Sequence, residues 1–121
     1  MTNVKQSLDE IMKIDGAIGA CLVDFKSGMA LGATGGGPNL NIEVAAAGNT
    51  EVVRSKLKVM AALGLKDKME DILISLTGQY HLIRMVGTNQ NLFLYVAMKR
   101  ESANLAMARY KLSEIEGQLA V

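Results

Sequence analysis

From about Asn39 to Leu63 the chain runs without a proline, between a Gly35-Gly36-Gly37-Pro38 break and Gly64. A proline-free stretch of that length closed by a glycine reads as one helix, with Gly64 just past its end. At about 1.5 Å per residue it would be roughly 35 Å long. No other feature limits the architecture as much, because strand-like segments flank this helix on both sides. Its apolar face carries Ile42, Ala45, Ala46, Asn49, Val52, Val53, Met60 and Leu63, and that face has to be buried. Ala45-Ala46-Ala47-Gly48 has almost no side-chain bulk, so another backbone can come close there. A mid-helix Gly48 costs about 1 kcal/mol relative to alanine, which close approach would offset.

The flanking segments follow two periods. Val4, Leu8, Ile11 and Met12 recur at helical spacing before Asp15-Gly16 stops the pattern. Leu105, Ala108, Leu112, Ile115 and Leu119 form a second such stripe, with Ser102 or Glu101 as its expected start. Ile18 to Val23 and Met29 to Ala33 read as a hairpin around Asp24-Phe25-Lys26-Ser27-Gly28. Asp71 to Leu76, Tyr80 to Val86 and Leu92 to Met98 read as three more strands, separated by Thr77-Gly78-Gln79 and by Gly87-Thr88-Asn89-Gln90-Asn91.

The expected fold is α+β. A five-stranded, mostly antiparallel sheet is sandwiched between the long central helix and the two terminal helices, in a single domain over residues 1–121. One helix about 10–12 Å wide cannot cover five strands spaced about 4.8 Å apart. A second copy lying antiparallel to the first would fill the space beside it, so a homodimer is expected. The interface positions on the helix are Ile42, Ala45, Ala46, Asn49, Val52, Val53 and Met60, and Asn49 is placed to pair with its own copy and fix the register.

Composition removes several functions. Half of the 121 residues are hydrophobic, which excludes a disordered chain. Thirteen basic against twelve acidic side chains leave a net charge of +1, without the basic excess of a nucleic-acid binder. The lone Cys21 excludes an internal disulfide, and the lone His81 excludes a multi-histidine metal site. No apolar run reaches the ~18–20 residues of a membrane span, and the charged N-terminal stretch Met1 to Asp15 is unlike a secretory signal. A soluble, cytoplasmic protein is expected.

Little in the sequence points to chemistry. Gly35-Gly36-Gly37 precedes a helix, where backbone N–H groups can meet a phosphate. It continues into Pro38-Asn39-Leu40, however, without the lysine and hydroxyl of a P-loop, and reads as a flexible connector. Cys21 lies in an apolar run and reads as a buried side chain. His81 can be combined with Ser27 and Asp24 on paper, but no nucleophile motif supports the set. The eight methionines are scattered as core filling. No cofactor and no catalytic residue is expected. Glu51, Arg54 and Lys58 give the central helix a charged side, read as the rim of a partner-binding surface.

The element order, with several local motifs, resembles the roadblock (dynein light chain) family, in particular its short stand-alone bacterial members. The matching stretches are Ile14-Asp15-Gly16-Ala17-Ile18-Gly19-Ala20, Val23-Asp24 with Ser27-Gly28-Met29-Ala30-Leu31-Gly32, and Ala45-Ala46-Ala47-Gly48-Asn49-Thr50-Glu51-Val52-Val53. Glu70-Asp71-Ile72-Leu73-Ile74-Ser75-Leu76, Gln79-Tyr80-His81-Leu82-Ile83-Arg84 and Asn104-Leu105-Ala106 with Ala108-Arg109 continue them across essentially the whole chain. The resemblance implies a dimer in which central helices pack antiparallel and the strand carrying Ile72 and Ile74 pairs with its own copy. It also implies a non-catalytic platform, in some bacterial members one that binds a small Ras-like GTPase and stimulates its hydrolysis. Nothing in the sequence supplies an identifiable arginine finger; Arg54 or Arg84 could be proposed, but neither is marked by a motif.

The resulting expectation is a homodimeric regulatory or scaffold protein, not an enzyme, that binds a small Ras-like GTPase. The alternative is a small-molecule sensor of a signalling system, with a sensor kinase as partner.

Overall fold

A computed structural model describes residues 2–38, 40–89 and 91–120. Asn39, read as the start of the long helix, and Gln90, read as part of a hairpin loop, lie outside the described residues, as do Met1 and Val121. Among the described residues there are three helices and five strands: α1 (Val4–Ile11), β1 (Ala17–Asp24), β2 (Met29–Gly35), α2 (Ile42–Ala62), β3 (Asp71–Ser75), β4 (Gln79–Met85), β5 (Leu92–Lys99) and α3 (Leu105–Gln118).

Each helix starts on an asparagine. The Asn3 side chain accepts from Gln6 N at 2.8 Å while Gln6 Oε1 accepts from Asn3 N at 3.1 Å, a complete capping box. Asn41 Oδ1 accepts from the backbone N–H groups of Glu43 and Val44, and Asn104 Oδ1 from that of Met107. The last of these corrects the expected start of α3. Ser102 and Ala103 donate their backbone N–H groups to Lys99 O in a turn, so the first extended residue with an acceptor side chain is Asn104, not Ser102 or Glu101. Gly64 has φ +70 immediately after the α2 cap, as its position predicts.

The strands form one open sheet in the order β2-β1-β5-β4-β3, with every neighbouring pair antiparallel. Central β5 is buried from Leu92 to Met98 and divides the core by its alternation. Leu94 and Val96 point to α1 and α3, where Leu8, Ile11, Leu22, Leu82 and Leu112 join them. Phe93, Tyr95 and Ala97 point to α2 with Cys21, Val23, Val53 and Ile83. The α+β sandwich is therefore the one expected. What the sequence does not disclose is the offset of α2, which packs on β1 and β2 and leaves the β4–β3 half of its face thinly covered.

The glycine break is not a loose tether. Gly35 and Gly36 have φ of +70 and +89. A Cβ on Gly35 would lie 2.4 Å from Ile18 O, and one on Gly19 would lie 2.8 Å from Gly36 N. These positions need glycine for backbone conformation and for close approach, and they hold the entry to α2 against β1.

Candidate partner-binding surface

At about 100° per residue, α2 carries three faces rather than two. Ile42, Ala46, Asn49 and Val53 turn inward onto the sheet and are buried in their own subunit. About 120° away, Ala45, Gly48, Val52, Ser55 and Val59 recur at spacings of three and four, the pattern of a helix-pairing seam. This seam carries no charge, yet its large side chains are open, Val52 at 37% and Val59 at 47%. Val44 and Leu63 beside it are about two-thirds exposed, at 67% and 66%. Nothing lies within 4 Å of a Cβ built on Gly48, so no contact inside the subunit accounts for a glycine there.

The third face is charged. Arg54 Nη1 donates to Glu51 Oε1 at 3.2 Å, and Nη2 donates to the Lys26 carbonyl. Lys58 is exposed one turn further on. The expected rim residues Glu51, Arg54 and Lys58 thus share one side of α2. Arg84 is elsewhere: its Nε donates to Glu116 Oε1 at 3.2 Å, on the α3 side of the sheet, so the two arginines considered as fingers are both engaged and do not converge.

The positions expected at an interface divide accordingly. Ile42, Ala46, Asn49 and Val53 are core side chains of the subunit itself, while Ala45 and Val52 lie on the open seam. Met60 is half-buried near the end of the helix, and Ile72 and Ile74 are half-buried on the thinly covered part of the sheet. Ile72 and Ile74 sit on β3, whose outer edge pairs with no strand among the described residues. Arg109 clamps the start of that strand by donating from Nε and Nη2 to the two oxygens of Asp71, at 2.9 and 3.1 Å.

Between the seam and β4 lies a cleft of about 300 Å³ that the sequence did not reveal. His81 and Tyr95 form its floor, with ring centroids 5.4 Å apart and planes at 88°. The Tyr95 hydroxyl lies 3.2 Å from His81 Nδ1, and His81 Nε2 lies 2.7 Å from Gln79 Oε1. An amide oxygen only accepts, so Nε2 carries the proton and Nδ1 accepts from the tyrosine. Burial lowers the His81 pKa and pushes the Tyr95 hydroxyl up to about 12, a rise that the neighbouring Asn49 amide partly offsets. Asn49 was expected to face its own copy. At 9% exposure it faces Tyr95 instead.

No hydrolytic triad forms, since Ser27 and Asp24 bond each other's turn while His81 bonds Gln79 and Tyr95. Cys21 is fully buried, and burial pushes its thiol up to about 12. A signal for the cleft did exist. Period-two alternation puts His81 and Ile83 on one face of β4, but only the pairing of Tyr95 with Ile83, one step along the ladder, brings the two rings together.

No family model and no curated protein matches the sequence. Solved structures do match. MglB of Myxococcus xanthus is similar at TM-score 0.81 and 16% identity, over 94% of this chain and 89% of that one. A Roadblock/LC7 domain from Streptomyces avermitilis reaches TM-score 0.81 at 14% identity, over 96% and 93%. An MglB in a tetrameric arrangement reaches 0.70 at 15% identity, over 95% and 88%. At these identities the likeness is one of fold, and the chain has the roadblock fold.

Proposed function

We propose that this protein is a homodimeric, non-catalytic regulatory or scaffold module of the cytoplasm that binds a small Ras-like GTPase on the α2 side of the dimer. The observation that carries the reading is the open seam Ala45, Gly48, Val52, Ser55 and Val59, uncharged and heptad-spaced on a helix whose other apolar face is already used. Two such seams packed antiparallel would place small residues where the backbones cross and cover the β4–β3 half of both sheets. Full burial of a valine or leucine contributes roughly 1.5–3 kcal/mol. Val44, Val52, Val59 and Leu63 are already partly covered, so each adds a fraction of that. Doubled by symmetry, the sum is comparable to the ~4–15 kcal/mol entropic cost of association. Pairing of the two β3 edges would supply the surplus and remove an open strand edge.

The GTPase part of the reading comes from the roadblock resemblance, and the similarity of fold to MglB fits it. Pairing along the seam would leave Arg54 and Lys58 outside with Glu51 at the seam's border, so the dimer would present two copies of that charged face to one partner. A catalytic role is not part of the proposal, because the one thiol is buried and protonated and the one imidazole is held between two side chains.

Two measurements test this. Sedimentation should show a dimer at micromolar concentration, and a monomer there refutes the seam. A small Ras-like GTPase encoded near this gene, loaded with GDP or a GTP analogue, should be retained by the wild type and released by Arg54→Glu with Lys58→Glu. Retention of neither nucleotide state refutes the partner.

A further inference from the structure

The floor of the cleft beside the seam is titratable. His81 is the single histidine of the chain, so between about pH 5.5 and 8 it is the one side chain whose ordinary pKa is crossed. It is half-buried where α2 leaves the sheet uncovered, with Val44, Gly48 and Asn49 along the helical wall. We propose that His81 makes self-association proton-sensitive: a second copy seated on the seam closes the cleft over a neutral imidazole, and the pair separates as that imidazole takes up a proton. The inference rests on the antiparallel dimer proposed above.

Within one subunit nothing that lines the cleft offsets an imidazolium, and the charged α2 groups that border the seam are Glu51 and Lys56, beside Val52, Ser55 and Val59. From β5 the ring meets the Tyr95 hydroxyl, with the Cys21 thiol behind it on β1. From β3 it meets Ile74 directly across the ladder, and from its own strand Gln79. From α2 it meets the Asn49 amide and the small, apolar part of the seam. The closest formal charge along the ladder is Lys99, opposite Gln79, and it is a cation. No carboxylate lines the cleft among the described residues. In the open subunit, water solvates a protonated ring. With the cleft closed that water is gone and the charge is buried unpaired.

The direction follows from linkage. Burial already lowers the His81 pKa in the single subunit, and a second copy adds burial in the same sense. Association is therefore at full strength above the His81 pKa of the single subunit, which lies below the ordinary histidine value, and weakens as pH falls through it. With two equivalent rings per dimer, Kd rises by up to about 100-fold for each pH unit on the acid limb.

Sedimentation velocity over a dilution series at about pH 8 and about pH 5.5 should show wild-type Kd rising several-fold on acidification while His81→Gln stays flat. NMR of the His81 ring provides a readout without a variant: its titration midpoint should fall as protein concentration rises. Equal wild-type Kd at both pH values, or an unchanged pH dependence in His81→Gln, overturns the switch and leaves the dimer standing. A monomer even at the higher pH overturns both.

Discussion

Replacing Gly48 by alanine should move two measured quantities in opposite directions. Within the subunit the change is favourable. Gly48 lies inside α2, does not have a positive φ, and has nothing within 4 Å of the added Cβ. Alanine in a helix interior is better than glycine by about 1 kcal/mol, partly because the unfolded chain loses freedom. For a domain of this size that gain raises Tm by roughly 3–6 °C. In the proposed dimer the change is unfavourable, because the methyl group would enter the point where the two helix backbones cross. Overpacking a tight contact costs about 1–3 kcal/mol, and the two-fold axis applies it twice. Even at the low end, about 2 kcal/mol weakens Kd some 30-fold. Thermal unfolding in dilute protein, where the monomer dominates, should therefore show a more stable fold, while a sedimentation series shows a weaker dimer. Gly48→Ala with a higher Tm and an unchanged Kd would mean that nothing approaches Gly48, and the seam would have to be abandoned.

Val52→Glu should abolish self-association with helical circular dichroism intact, because Val52 is on the open seam and outside the subunit's core. Loss of the folded signal instead would place Val52 in the core. Asn104→Ala removes the cap of α3 and should cost about 1 kcal/mol in urea unfolding, whereas Ser102→Ala should cost much less, since its side chain caps nothing in the α3 turn. Tyr95 and Cys21 both have pKa values raised by burial to about 12 from 10.0 and 9.0. A raised pKa of this kind adds stability that is complete below the unfolded value and lost as pH climbs through the folded one. Stability should therefore fall by about 1.4 kcal/mol per unit for each group, from about pH 9 for Cys21 and about pH 10 for Tyr95 up to about pH 12, and the Tyr95→Phe, Cys21→Ala pair should flatten that fall. An equally steep fall in the pair would assign it to other groups.

The element order was legible because both periods were clean. Val4, Leu8 and Ile11 recur as a helix face, and Leu92 to Met98 combines β-branched and aromatic residues in the manner of a strand, which the structure covers on both sides. The three faces of α2 were not legible. Ile42, Ala45, Ala46, Asn49, Val52 and Val53 form one broad apolar arc on a helical wheel. The distinction between residues facing the home sheet and residues facing outward depends on how the helix is rotated, which the sequence does not encode locally. The contact of Asn49 with Tyr95 was illegible for the same reason: Asn49 lies at the border of the two faces, and Tyr95 is far away in sequence. The cap of α3 was missed because Ser102 and Asn104 are equally good capping residues, and the choice is made by the turn that Lys99 O accepts.

The connection before α2 explains why an open seam exists. Gly36 donates its backbone N–H to Ile18 O at 2.9 Å, a Cβ on Gly19 would lie 2.8 Å from Gly36 N, and one on Gly36 would lie 2.8 Å from Leu40 O. The chain therefore leaves β2 folded tightly back over β1, and α2 begins above that half of the sheet. A 21-residue helix started there runs along β1 and β2; Ile72 still packs against the cluster that holds Val53, whereas Ile74 and His81 lie outside it. A longer or bulkier connector would let α2 slide toward the sheet centre and cover more of it. Its outward residues would then gain nothing from being small and uncharged. Glycines at positions 35 and 36 and the Gly48 seam are thus parts of one arrangement: the first pair sets the helix to one side, and the vacated half of the sheet gives the seam something to cover. In the proposed dimer, substituting Gly36 should accordingly harm association as well as the fold, whereas Gly48→Ala should harm association alone.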